Sequence, residues 1–132
     1  MGIRALIVDD DEDIRSIEGE RISSLGHAWD GTGNAKDVYD MVRKTKYDYI
    51  LMDMQMPLCP DGAAMDNAGE ICLRELRKKY PREELPVIMI TGVDVHTRNA
   101  GKAAELMFTL ANDFLVKPAL EGEHTLEESV RV

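Results

Sequence analysis

Four short apolar runs of strand-forming residues recur along the chain, at residues 5–8, 50–52, 87–90 and 114–116, and stretches with helical spacing separate them. That alternation points to a parallel sheet, because parallel neighbours need crossovers long enough to hold a helix. The intervening stretches fit that reading. Ile14, Ile17, Ile22 and Leu25 fall on one side of a helix that Gly26 can terminate, and "HAWDG" at 27–31 can form a weaker second strand. Asn34 can cap a second helix that turns Ala35, Val38, Met41 and Val42 inward, and "YDYILMD" leads into the third strand. A third helix is expected over roughly 68–79, ending before Pro81. The fourth strand starts at Pro86, where a missing N–H is tolerable. A helix holding Ala100, Ala103, Ala104 and Met107 comes next, then "DFLVKP", then a last segment that Thr125 can cap.

Five such repeats give an α/β fold: a doubly wound, five-stranded parallel sheet with helices on both faces, in one domain over residues 1–132. In open sheets of this kind ligands sit outside the carboxyl ends of the strands. The residues there are Asp9 and Asp10 after strand 1, Asp53 after strand 3, Thr91 after strand 4 and Lys117 after strand 5.

Charge narrows the chemistry. A net charge of −9 argues against a nucleic-acid or anionic-membrane surface, since phosphate backbones need clustered Lys and Arg. Two cysteines, Cys59 and Cys72, lack the spacing of a disulfide framework or a zinc site, and no apolar run approaches a membrane span. With no leader at the start, the expected location is cytoplasmic.

Five consecutive acids, residues 9–13, follow the first strand in "LIVDDDEDIR". Such a run loses free energy on burial unless something offsets its charge. Three carboxylates converging at one sheet edge, with no neighbouring Arg expected, suit a hard cation, and a few carboxylates plus waters suit magnesium. Asp11, Glu12 and Asp13 would then sit at a helix start, where the dipole favours negative charge. A carboxylate beside a metal can attack phosphorus while a Lys and a hydroxyl hold the transferred oxygens, and Asp53, Lys117 and Thr91 have that chemistry.

"LIVDDDEDIR", "YDYILMDMQMP", "PVIMITG" and "NDFLVKP" together resemble the signatures of response-regulator receiver domains (CheY-like, flavodoxin-like fold) over residues 5–118. The resemblance implies that Asp53 is the phosphoacceptor and that Asp9, Asp10, Asp53 and the backbone carbonyl of Gln55 hold Mg2+. It also implies that Thr91 and Lys117 contact the phosphoryl group, that Thr91 and Phe114 form the switch, and that the Lys117–Pro118 bond is cis. Its partner would be a sensor histidine kinase or histidine phosphotransfer protein. Output would use the face of the fourth helix, fifth strand and fifth helix, which also allows a homodimer. On this reading the protein is not an enzyme acting on a separate substrate; it catalyses its own phosphorylation and slow dephosphorylation.

The pattern departs from the family over residues 58–69, "LCPDGAAMDNAG", which add a turn or two beside the site and suit an exposed irregular loop concerned with partner choice or access. Leu110 stands where a helix-ending Gly is expected. Four rival readings are weaker. An EF-hand would use Asp9, Asp11, Asp13 and Glu20 but has Ile14 at the turn glycine. A magnesium-dependent phosphohydrolase needs a general acid where Gln55 stands. Dinucleotide binding fails because Lys36 replaces the third glycine of "GTGNAKD". A non-phosphorylated interaction module of the same fold would not need the intact set of acids, Thr91 and Lys117.

Overall fold

The chain forms, in order, β1 (Arg4–Val8), α1 (Glu12–Ser23), β2 (Ala28–Thr32), α2 (Ala35–Lys44), β3 (Tyr49–Asp53), β4 (Met56–Pro57), β5 (Ala64–Met65), α3 (Ala68–Arg77), β6 (Val87–Thr91) and β7 (Asp113–Val116). This computed structural model describes residues 2–91 and 110–116. The expected helix around Ala100 to Met107, the segment after Thr125, Lys117 and the Lys117–Pro118 bond lie outside the described residues.

Five strands make one parallel sheet in the order β2-β1-β3-β6-β7. From β1 the chain first adds a strand on one side and then crosses to the other, so the order reverses between β1 and β3. In sheets wound this way a crevice opens at the reversal.

Alternate residues of the strands feed two cores. Leu6, Val8, Ile50, Met52, Val87 and Met89 pack with Ala35 and Val38 of α2 and with Ala68, Cys72, Leu73 and Leu76 of α3. Ala5, Ile7, Tyr49, Leu51, Ile88 and Ile90 pack on the opposite face with Ile22 of α1 and with Trp29. Helices therefore cover both faces. Every residue of β3 is buried, which is why it reads as an apolar run up to Asp53.

The helix ends follow local chemistry. Asp11 caps α1, its carboxylate accepting from the Asp13 and Ile14 N–H groups at 2.9 and 3.3 Å. Gly26, at φ +85°, lets the chain turn out of the helix, with its N–H on the Ser23 carbonyl and the His27 N–H on the Ile22 carbonyl. Asn34 caps α2 by accepting from the Asp37 N–H at 2.9 Å. Asn67 makes no side-chain cap for α3. Instead, the Gly69 N–H donates to the Met54 carbonyl at 2.9 Å, tying the start of α3 to the residue after β3.

Three expectations need correction. Ile17 does not face the core; it is 41% exposed, whereas Glu18, Gly19 and Ile22 are buried. The Trp29 ring lies against Gly19, where a Cβ would overlap it, so the inward face of α1 turns away from Ile17. The second correction concerns residues 58–69. Met56–Pro57 and Ala64–Met65 pair as an antiparallel hairpin closed by a turn in which the Gly62 N–H bonds the Cys59 carbonyl at 3.0 Å, and Ala68 and Gly69 already belong to α3. Pro60 sits at the second position of that turn, where its fixed φ is suited. The third correction, an arginine beside the acids, is described with the site.

Arg77, in the last turn of α3, is a hub that periodicity did not mark. Its guanidinium donates to the Leu110 carbonyl at 2.6 Å, the Leu85 carbonyl at 2.8 Å, the Tyr80 carbonyl at 3.2 Å and Asn112 Oδ1 at 3.1 Å. Asn112 Oδ1 in turn accepts from the Val87 N–H at 3.0 Å. Burial, with Arg82 nearby, pulls the Arg77 pKa down to about 10.

The two thiols should behave oppositely. Burial pushes the Cys72 thiol up to about 12, and Cys59 is exposed on the hairpin turn. Because the thiolate is the reactive form, iodoacetamide at pH 8 should add once to the native protein and twice in denaturant, read by intact mass. Two rapid native adducts would contradict the packing. Since the folded pKa lies above the ordinary 9.0, the buried thiol's contribution to stability is complete below pH 9 and is lost as pH rises toward 12. Denaturation midpoints should fall across that window.

Candidate metal centre

Asp9 follows β1 and Asp53 ends β3, so the two adjacent central strands deliver both to the crevice where strand order reverses. Asp9 is 1% exposed and Asp53 5%, whereas Asp10 reaches solvent. One carboxylate oxygen from each of Asp9, Asp10 and Asp53 lies within 4.8 Å of the others. Full charges that close repel by roughly 3 kcal/mol per pair at an effective dielectric of about 20, less where water reaches Asp10. A cation placed between them turns that repulsion into attraction.

The surrounding loops hold the acids in place. Asp9 Oδ1 accepts from the Asp11 N–H at 3.0 Å, and the Asp9 N–H donates to the Thr32 carbonyl at 3.0 Å. Asp53 Oδ1 accepts from the Gln55 N–H at 3.3 Å, which turns the chain sharply after β3. The Met54 N–H continues the ladder to the Ile90 carbonyl at 2.9 Å. These bonds fix the carboxylates on backbone that is itself part of the sheet.

An arginine does stand beside the acids. Arg15, one turn into α1, donates from Nη1 to the backbone carbonyl of Asp9 at 2.6 Å and also lies near Gly33. It grips the loop and not a carboxylate. This differs from the arginine-free crevice expected from the sequence, because the contact spans six residues through a turn and leaves no periodic trace.

Of the other expected residues, Gln55 adjoins Asp53 through the hydrogen bond just described. Thr91 ends β6, one position beyond Ile90, the register partner of Asp53, so its backbone reaches the same sheet edge. Phe114 lies in β7 opposite Met89, two positions back from that edge.

The donor set is chemically uniform. Three hard anionic oxygens fit a small divalent ion that keeps several waters, and among the described residues no sulfur or imidazole joins them to favour zinc or copper. The turn after Asp53 is held in turn by the hairpin. Gln55 Nε2 donates to Asp66 Oδ1 at 3.3 Å, and the Leu58 carbonyl accepts from the Lys36 N–H at 2.9 Å. Sequence reasoning missed Arg15, Asp66 and the close packing of Gly69 against Met54. Only the Gly69 position carried a hint, as a small residue in the first turn of an apolar helix.

Comparison with known proteins bears on this geometry. The family model for the response regulator receiver domain matches residues 5–131. Response regulator MprA of Mycobacterium bovis is 32% identical over 123 residues, covering 92% of this chain and 47% of MprA. Aerobic respiration control sensor protein ArcB of Escherichia coli is 30% identical over 93 residues, 70% of this chain and 11% of ArcB. The chain thus spans less than half the length of these relatives. Among solved structures, response regulator protein TrrA of Thermotoga maritima, in complex with Mg2+ and BeF, superposes with a TM-score of 0.66 at 25% identity, covering 87% of this chain and 86% of that one. Among the described residues no helix is long and apolar enough to cross a membrane.

Proposed function

The chain belongs to the response regulator receiver domain family of two-component signalling, and from that premise we propose that Asp53 is the residue that accepts the phosphoryl group. The observation that carries this is the cluster of Asp9, Asp10 and Asp53 at the reversal of strand order, with Asp53 at the end of a fully buried strand. An Asp53 carboxylate oxygen attacks the phosphorus of a phosphohistidine donor, the P–N bond breaks, and the imidazole leaves with the bonding electrons. The product is an aspartyl phosphate.

Asp9, Asp10, Asp53 and the Gln55 carbonyl would hold Mg2+, which when bound supplies positive charge against the incoming phosphoryl oxygens. The chain's own part is positional. β1 and β3 bring the three acids together, and Arg15 and the Asp11 N–H hold the loop that carries Asp9. By family resemblance, Thr91 and Lys117 would contact the phosphoryl oxygens, Thr91 and Phe114 would couple the site to the output face, and the Lys117–Pro118 bond would be cis. The face that the family resemblance assigns to a fourth helix, the strand β7 and a fifth helix would serve partner binding or a homodimer. The donor would be a sensor histidine kinase or phosphotransfer protein in the cytoplasm.

Incubation with acetyl phosphate and Mg2+ should raise the intact mass by one phosphoryl group, and excess chelator should prevent the gain. No gain at saturating donor and metal would refute the assignment.

A further inference from the structure

The hairpin beside the site reaches the turn after Asp53 through a side-chain hydrogen bond: Asp66 Oδ1, just past β5, accepts from Gln55 Nε2 at 3.3 Å. Gln55 is thereby held at two points, its backbone N–H on Asp53 Oδ1 and its carboxamide on the hairpin. The hairpin is well anchored for this. Met56 in β4 is fully buried in the core, and the Leu58 carbonyl is bonded to the start of α2. A carboxylate can only accept, so it fixes which end of the carboxamide turns toward the hairpin.

We propose that Asp66 is a positioning residue that restrains the Gln55 carboxamide on the hairpin and so lengthens the life of the phosphoryl group on Asp53; this rests on the phosphoacceptor reading above. Loss of the phosphoryl group requires a water oxygen to attack phosphorus in line with the P–O bond to Asp53. That bond breaks, its electron pair returns to the Asp53 carboxylate, and the water's protons pass to the phosphate released and to solvent. A carboxamide free to swing over the mouth of the site can hold such a water by donating and accepting hydrogen bonds, as glutamine does in other phosphoryl-transfer sites. Bound to Asp66, it is drawn toward the hairpin and away from that line. Phosphoryl uptake, in which the attacking group is Asp53 itself, needs no positioned water and is not affected.

The test labels the wild type, Asp66→Ala, Asp66→Asn, Gln55→Ala and the Gln55→Ala/Asp66→Ala pair with acetyl phosphate and Mg2+, removes donor by rapid desalting, and follows loss of phosphoryl mass. Both Asp66 variants should take up label at the wild-type rate. Asp66→Ala should then lose it roughly two- to fivefold faster, the scale expected for one exposed hydrogen bond to a charged group. Asp66→Asn, which keeps an acceptor but loses the charge and can also donate, should fall between wild type and Asp66→Ala, and Asp66→Ala should have no effect once Gln55 is Ala. Both side chains are exposed, so folding should be unaffected. Equal or longer lifetime in Asp66→Ala, or an acceleration that persists without the Gln55 side chain, overturns the inference alone. Failure of the wild type to label overturns the phosphoacceptor reading and the inference with it.

Discussion

Replacement of Asp53 by Asn is expected to abolish phosphoryl uptake while making the metal-free protein more stable. The two effects have one origin. Asp53 contributes to two of the three carboxylate pairs in a cluster whose oxygens lie within 4.8 Å, and it is buried. An uncharged amide of the same shape removes that repulsion, roughly 3 kcal/mol for the Asp9 pair alone at an effective dielectric of about 20, but accepts more weakly from the Gln55 N–H and loses the carboxylate's other contacts, leaving a net gain of about 1 to 2 kcal/mol. An amide also cannot serve as the nucleophile that the carboxylate provides. Intact mass after acetyl phosphate treatment should show no gain for Asp53→Asn, and its melt in chelator should lie above that of wild type. Added Mg2+ should raise the wild-type midpoint more than the variant's, because ligand binding stabilises only as far as affinity remains. Normal labelling of the variant would place the acceptor elsewhere.

Gly69→Ala should damage both fold and site. Alanine is ordinarily worth about 1 kcal/mol over glycine inside a helix. Here an ideal Cβ would overlap the Asp53 carbonyl oxygen and fall 2.7 Å from Met54 Cα and 3.0 Å from Met89 Cε. Two of those neighbours are backbone and cannot swing aside. Forcing the start of α3 away from β3 would also strain the bond from the Gly69 N–H to the Met54 carbonyl. The clash should outweigh the helical gain and leave a net loss of about 2 kcal/mol, roughly 5 to 10 °C in the melting midpoint. Since the displaced atoms belong to Asp53 and Met54, phosphoryl uptake should slow as well. A melting midpoint equal to wild type, with unchanged labelling, would show that α3 is not seated as described.

What could be read in advance tracks how each residue is buried. β3 and β6 were legible because strands covered on both faces become continuous apolar runs. Asn34 and Gly26 were legible because caps use a few residue types for a local reason. Asp9, Asp10 and Asp53 could be grouped because parallel topology sends successive strand ends to one edge. α1 was misread on one face because Glu18 and Gly19 occupy its buried side to accommodate Trp29, which breaks the hydrophobic period at Ile17. β4 and β5 are two residues each, too short for any period, and their pairing depends on a tight turn from Cys59 to Gly62. Arg15 and Arg77 act on backbone carbonyls brought near by folding, and a target of that kind has no residue identity to read.

α3 is fastened at both ends to different parts of the sheet: through the Gly69 N–H to the carbonyl next to Asp53, and through Arg77 to the carbonyls of Leu85 and Leu110, which precede β6 and β7. Mechanically it is a strut between the two rims of the sheet. A strut held at both ends transmits a push along its axis and resists being tilted, since tilting would break charged hydrogen bonds at one rim or the short backbone contact at the other. One helix thus bridges the Asp53 rim and the opposite rim, where the chain enters the two strands on the far side of β3.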